Sequence, residues 1–168
     1  NKAHAASYGK VAYQTAYMKA NFPGEYMTAV LSAESGEVEK VSESVNECKR
    51  MGIPVLPPDI NQSFREFTLV RNDTGDSIRF GLGSIKNFGE GISESIIEER
   101  LKNGKFVSLP DFLSRIKNRN LNKKSLEALI YSGALDGFGE RGAMIQNLND
   151  LLEFNREQGR GDGDQTSL

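Results

Sequence analysis

Pro54, Pro57 and Pro58 fall within five residues, and they constrain this 168-residue chain more than any other feature. Proline fixes φ, lacks an N–H, and drives the residue before it out of helical geometry. No helix can run through 53–58, so an extended segment must cross there. The prolines also isolate the stretch at 64–82 from what precedes it.

Before the prolines the pattern is helical. Asn1 can cap a helix running to about Ala20, where Pro23-Gly24 breaks it. Lys2, Ala6, Lys10, Tyr13 and Tyr17 share one face of that helix. His4, Tyr8, Val11, Thr15 and Met18 share the other. Neither face is purely apolar, which predicts packing on one side and polar contact on the other. A second helix is expected from Gly24 to Ser32. A third is expected from Glu37 to Met51, buried along Val38, Val41, Val45 and Cys48 and stopped by Gly52.

Beyond the prolines, Phe64, Phe67, Leu69 and Val70 read as an apolar strand. Asn72-Asp73-Thr74-Gly75 reads as a turn, and Ile78, Phe80 and Leu82 alternate in a return strand. From Gly81 onward the pattern predicts short helices at 84–87, 92–102, 109–117, 122–132 and 140–157. The Gly- and Asp-rich tail from Gly159 is expected to be disordered. The fold class is therefore mostly α with a two-stranded β-hairpin connector. The expected divisions are 1–52, 53–82, 83–140, 141–158 and 159–168.

Composition removes several classes of function. One cysteine, Cys48, excludes an intrachain disulfide framework, and one histidine, His4, excludes a His-cluster metal site. No run approaches the roughly 20 apolar residues of a membrane span. The polar start lacks the apolar core of a signal peptide, which points to the cytoplasm. The net charge is −2, from 21 Lys+Arg against 23 Asp+Glu. Affinity for nucleic acid must then come from local clusters. One such cluster is Arg115, Lys117, Arg119, Lys123 and Lys124, with no acid among them. Glu98-Glu99, Asp73 and Asp76 read as surface acids, so no catalytic or metal-binding residues are assigned.

The most specific local feature is Gly81-Leu-Gly-Ser-Ile-Lys-Asn-Phe-Gly-Glu-Gly-Ile92 followed by a helix. A short helix, the Gly89-Glu90-Gly91 turn and a second helix form a helix-hairpin-helix unit. The glycines are expected to allow positive φ and to leave backbone N–H groups uncovered at the second helix. Those donors and the helix's positive end suit a phosphate oxygen, and Lys86 adds a charge. The plainer alternative is a Gly-rich turn between packed helices. A second unit follows, with helix Leu109 to Ile116, turn Lys117 to Asn122, and helix Lys123 to Ser132 closed by Gly133. Its basic residues can face one phosphate strand, or they can form a solvated face. Two such hairpins can grip both strands of a duplex across a groove.

The order of these motifs resembles the bacterial replicative DNA polymerase III alpha subunit, from late fingers through its tandem helix-hairpin-helix region. The resemblance rests on Asn1-Lys-Ala-His-Ala-Ala-Ser-Tyr8, Ala12-Tyr-Gln-Thr15 and Lys19-Ala-Asn-Phe-Pro23. It continues through Glu47-Cys-Lys-Arg-Met-Gly52, Leu56-Pro-Pro-Asp59, Phe80-Gly-Leu-Gly-Ser-Ile-Lys86, Leu126-Glu-Ala-Leu-Ile130 and Ser132-Gly-Ala-Leu-Asp136. It implies a fragment of a DNA-directed DNA polymerase that lacks the palm aspartates and is inactive alone. It implies Mg²⁺ in the full-length parent only. It implies that Asn1, Lys2 and His4 face the incoming dNTP, although Ala3 stands where the family often carries Ser. It also implies that duplex DNA is held through backbone phosphates by the two hairpins. The residues assigned there are Lys86, Asn87, Gly89, Gly91, Arg115, Arg119, Asn122, Lys123 and Lys124. Other replicase subunits are further partners that such a fragment allows. The alternative is a free-standing, non-enzymatic helix-hairpin-helix module that binds DNA or protein.

Overall fold

Pro23 opens a helix rather than merely ending one. The first N–H of a helix has no intrahelical acceptor, so proline costs nothing at that position. The computed structural model, which describes residues 2–73, 75–117 and 121–160, places helix α1 at Lys2–Asn21 and α2 at Pro23–Ala33. Helix α3 follows at Val38–Arg50, and Gly52, with φ +73°, turns the chain out of it. The chain divides into two units. One comprises residues to Leu56 together with Phe67–Ile78, and the other comprises Pro57–Glu66 with Arg79 onward. The residues of the expected connector are shared between them.

In the first unit, α1 packs against α2 and α2 against α3. The Lys19 Nζ donates to Glu47 Oε1 at 2.7 Å, tying α1 to α3. Yet α1 has no buried residue, and Tyr8, Val11, Tyr13 and Tyr17 are exposed. Its expected packed face is not covered by the described residues. Helix α3 also departs from expectation, because Val38 is 67% exposed while Ser44 is buried. The Ser44 hydroxyl donates to Glu34 Oε2 at 2.6 Å, which makes its burial affordable in hydrogen bonds. Cys48 is buried as expected, and burial pushes its thiol pKa up.

The expected two-stranded hairpin is a three-stranded sheet. Its strands are β1 (Val55–Leu56), β2 (Thr68–Asn72) and β3 (Gly75–Arg79), in the order β1-β3-β2. The prolines hold 54–58 extended, and an extended backbone beside an unpaired strand edge pairs with it. Pro54 supplies only its carbonyl, which accepts the Ile78 N–H at 2.8 Å. Phe64, Phe67, Phe80 and Leu82 lie outside the strands. Gly24 lets α2 lie close to this sheet, since a Cβ there would come within 2.9 Å of both Leu69 and Asp76.

The second unit holds the larger core. The 3₁₀ turn Leu82–Ser84 leads into α4 (Glu90–Asn103), α5 (Leu109–Arg115) and α6 (Lys123–Ser132). A second 3₁₀ turn, Asp136–Phe138, precedes α7 (Arg141–Gln146) and α8 (Leu148–Arg160). Ile92 and Ile96 on α4, Phe112 and Leu113 on α5, and Leu126, Leu129 and Ile130 on α6 meet in one cluster, closed by Leu148 and Leu152. The spacings 92/96 and 126/129/130 put the α4 and α6 sets each on one helical face. Segment 57–66 is fastened to this core. Ile60 N–H donates to the Ala134 carbonyl, and the Asn61 amide both donates to and accepts from the Phe106 backbone at 2.8 Å. Arg100, 7% exposed, donates to the Ile60 and Ser63 carbonyls and lies over the Phe64 ring. Burial pushes its pKa down.

The single helix expected over 140–157 is two. Asn147 separates α7 from α8, and its side-chain amide donates back to the Ala143 carbonyl at 2.9 Å. Such local side-chain bonds compete with helix continuation. Helix α8 extends to Arg160, past the expected start of the disordered tail, and 161–168 lie outside the described residues.

Candidate nucleic-acid interface

Ile85 and Phe88 are buried, and they pin the first hairpin to the core from below. The two residues between them, Lys86 and Asn87, are thereby forced outward and are exposed. Asn87 carries the left-handed backbone of the turn, with φ +64°. Gly89, to which positive φ was ascribed on the sequence, has φ −67° and ψ 151°. It is the N-cap of α4, and Gly91 lies in the first turn of that helix. Neither is among the glycines with positive φ. A Cβ at Gly89 would meet nothing within 4 Å. Glycine is thus required there neither by conformation nor by a neighbour. What it provides is a helix start with no capping side chain.

The first two glycines of the same motif serve another purpose. A Cβ on Gly81 would collide with the Arg65 carbonyl, and one on Gly83 would come within 2.9 Å of it. The backbone of 65–66 runs against them, and Leu82 and Gly83 donate N–H bonds to the Phe64 and Arg65 carbonyls. Gly81 and Gly83 are packing glycines, while Gly89 faces outward.

The second hairpin is built differently. Asn122 is the N-cap of α6, and its Oδ1 accepts from the Lys124 and Ser125 N–H groups at 3.0 and 3.2 Å. The Ser125 hydroxyl oxygen accepts from the Asn122 N–H at 2.8 Å, completing a capping box. The Lys124 and Ser125 N–H groups are thus satisfied within the chain, and Asn122 serves as the cap of α6 through its Oδ1. Lys123 and Lys124 beside it are exposed. Arg119 lies outside the described residues, as does Asn1.

Arg115 leaves the candidate set for a physical reason. Its side chain is 18% exposed and is consumed by the protein. Nε donates to Glu99 Oε1 at 2.9 Å, Nη1 to Asp111 Oδ2 at 3.1 Å, and Nη2 to the Gly104 carbonyl at 2.8 Å. The guanidinium also sits 4.4 Å from the centre of the Phe106 ring. Hydrogen bonds from Arg115 and then Asn103 hold the Glu99 carboxyl below the usual range. Arg115 ties α4 to α5, and its donors are engaged within the protein.

A groove of about 650 Å³ joins what remains. Lys86 and Asn87 of the first hairpin line one side, and Lys124, Glu127, Ala128 and Tyr131 of α6 line the other. Positions 124, 127, 128 and 131 fall on one helical face. Tyr131 is 65% exposed and escaped the sequence reading. Its signal was available, since an aromatic two turns after Lys124 sits on the face opposite Leu126, Leu129 and Ile130. Asn155 also escaped. It is buried on α8, and its side-chain amide donates to the Leu113 and Ile116 carbonyls at 2.6 and 2.8 Å. It holds the end of α5, from which the second hairpin departs.

Lys2 and His4 lie on α1, in the other unit. Both are exposed, and the His4 ring meets Tyr8 edge-on at 4.8 Å. Among the described residues no group of three His, Cys, Asp or Glu side chains converges. No helix of those residues is long and apolar enough to cross a membrane.

Two helix–turn–helix elements packed on one core, one turn ending at a glycine-capped helix start, define the helix-hairpin-helix class. The family model described as "Helix-hairpin-helix motif" matches residues 52–144, more than half of the chain, and the chain belongs to that family. Its relatives are more particular. The chain is 46% identical to the DNA polymerase III subunit alpha of Thermus aquaticus over 95% of its own length and 13% of that protein's. It is 48% identical to the same subunit of Deinococcus radiodurans, over 91% of this chain and 11% of the relative. It is 46% identical to that of Escherichia coli, over 91% and 13%. The chain is thus similar to a segment of DNA polymerase III alpha subunits and spans about an eighth of their length.

Proposed function

We propose that this chain is the segment of a replicative DNA-directed DNA polymerase that holds duplex DNA by its phosphates, behind the site of synthesis. The observation that carries this reading is the first hairpin. Gly89 starts α4 without a capping side chain, at a point where a Cβ would meet nothing within 4 Å, beside exposed Lys86. The positive end of a helix favours an anion. Across the groove stands Lys124, with Lys123 next to it. These groups suit phosphate oxygens rather than base edges, so binding is independent of sequence.

The first unit belongs to the fingers in this reading. Lys2 and His4 of α1, with Asn1, attend the incoming dNTP. Support comes from the likeness to the polymerase subunits and from the bare aromatic surface of α1, which suits a helix lodged against the rest of a larger enzyme. Magnesium belongs, in this reading, to the full-length parent; among the described residues no group of three His, Cys, Asp or Glu side chains converges. Other replicase subunits as partners and a cytoplasmic location complete the reading, supported by the replication enzymes it resembles.

The test is fluorescence anisotropy with two unrelated duplexes over a salt series. Each phosphate neutralised by a cation adds about 0.9 to the slope of log K against log salt. With Lys86, Lys123 and Lys124 engaged, the slope is about −3 for both duplexes. Lys124→Ala reduces its magnitude by about one, and Arg115→Met leaves it unchanged. A salt-independent signal, a large preference for one duplex, or no binding at low salt would overturn the reading.

A further inference from the structure

The groove between the first hairpin and α6 has features that a pure duplex clamp does not need. Its floor is apolar, formed by Phe80, Ile85 and Ala128, while Lys86 and Lys124 stand on its two sides. Tyr131 lies at its edge, 65% exposed. The seven steps from Lys124 to Tyr131 correspond to about 10 Å along the helix. A cation therefore alternates with an aromatic face over a distance that one or two nucleotides span. A phosphate-tracking charge beside a ring on which a base can stack is how proteins hold unpaired strands.

We infer that this groove takes an unpaired nucleotide at the end of the bound duplex, its base stacked on Tyr131 and its phosphates drawn by Lys86 and Lys124. The inference rests on the duplex-binding reading and names the part of the DNA that this groove receives. The charge arrangement favours that occupant. The lysines attract an anionic strand, while half-buried Glu127 on the same face repels phosphate from the floor and can accept from a base N–H. The groove is also continuous with the hairpin that meets the duplex, since Lys86 and Asn87 belong to both. A phosphodiester backbone therefore needs no detour to enter it.

The experiment compares the full chain's affinity for a blunt duplex and for the same duplex with a single-stranded overhang of about five nucleotides. The overhang should tighten binding about fivefold or more, as expected for a stacked base. Tyr131→Ala should abolish that gain and leave the blunt-duplex affinity unchanged, and Tyr131→Phe should keep the gain. Among the described residues the Tyr131 ring makes no hydrogen bond that its loss would break, and its carbonyl accepts from Arg141 at 3.2 Å. Blunt-duplex binding with no gain from the overhang would overturn this inference while leaving the duplex reading intact. Equal losses for both DNAs in Tyr131→Ala would also overturn it. If an acidic amphipathic helical peptide removed the overhang's gain and a single-stranded oligonucleotide did not, the groove would belong to a protein helix and the inference would fall. Absence of binding to either DNA would sink the duplex reading itself, and this inference with it.

Discussion

The two hairpins share a layout and differ in how the second helix begins. At α4 the cap is glycine, the turn's left-handed residue is Asn87, and a Cβ on that glycine would meet nothing within 4 Å. At α6 the cap is Asn122, whose side chain and that of Ser125 close a reciprocal box. Helix starts expose orphan N–H groups, and a protein can satisfy them internally or leave them for a ligand. The second hairpin takes the first course and gains local stability. The first forgoes a side-chain cap worth about 1 kcal/mol. On the function proposed above, the positive end of α4 attracts phosphate, while the second hairpin contributes lysine charge from a self-contained scaffold.

The comparison can be broken by substitutions that act on one hairpin only. The largest effect is expected at Asn155. Asn155→Leu removes both bonds that α8 gives the end of α5 and leaves the Leu113 and Ile116 carbonyls buried without that donor. Urea unfolding should show a loss of about 1–3 kcal/mol. Backbone exchange protection should fall over α5 and the second hairpin and hold at 85–92. Equal loss at both hairpins would mean they are not independently supported. Asn122→Ala comes next, costing about 0.5–2 kcal/mol in the same unfolding assay. Because Asn122 spends its Oδ1 on the cap, duplex affinity at low salt should hold wherever the protein remains folded. A fall of about tenfold in affinity would mean that the Asn122 side chain is itself a phosphate donor.

The helices of the first unit and the short helices after Gly81 were legible because their apolar residues recur at helical spacing and Pro23, Gly52 and Gly133 punctuate them. What escaped depends on contacts between distant residues. The strand at Val55–Leu56 needs β3 beside it, and nothing within 53–58 states that. Arg115 looks like its neighbours Lys117 and Lys123 in a basic run. Its partners Glu99 and the Gly104 carbonyl come from the preceding helix, and only folding brings them within 3 Å. The glycine-rich motif was recognised as a hairpin, but its glycines were given one shared reason. They have two, since Gly81 and Gly83 admit the backbone of 65–66 and Gly89 keeps the helix start clear. The break at Asn147 was hidden because residues 140–157 keep a helical apolar pattern across it.

Gly89→Ser has the smallest expected effect on folding and bears most directly on the division between the hairpins. Serine fits φ −67° and ψ 151°, meets no neighbour, and can cap α4 with its own hydroxyl oxygen. No charge changes. Thermal unfolding should therefore be unchanged or shifted up by the equivalent of a few tenths of a kcal/mol. In the same preparation, duplex affinity at low salt should fall about tenfold, the loss of one charge-assisted hydrogen bond or more, with the salt slope preserved. Unchanged affinity in a protein that is as stable or more stable would contradict the use of the open helix start by DNA.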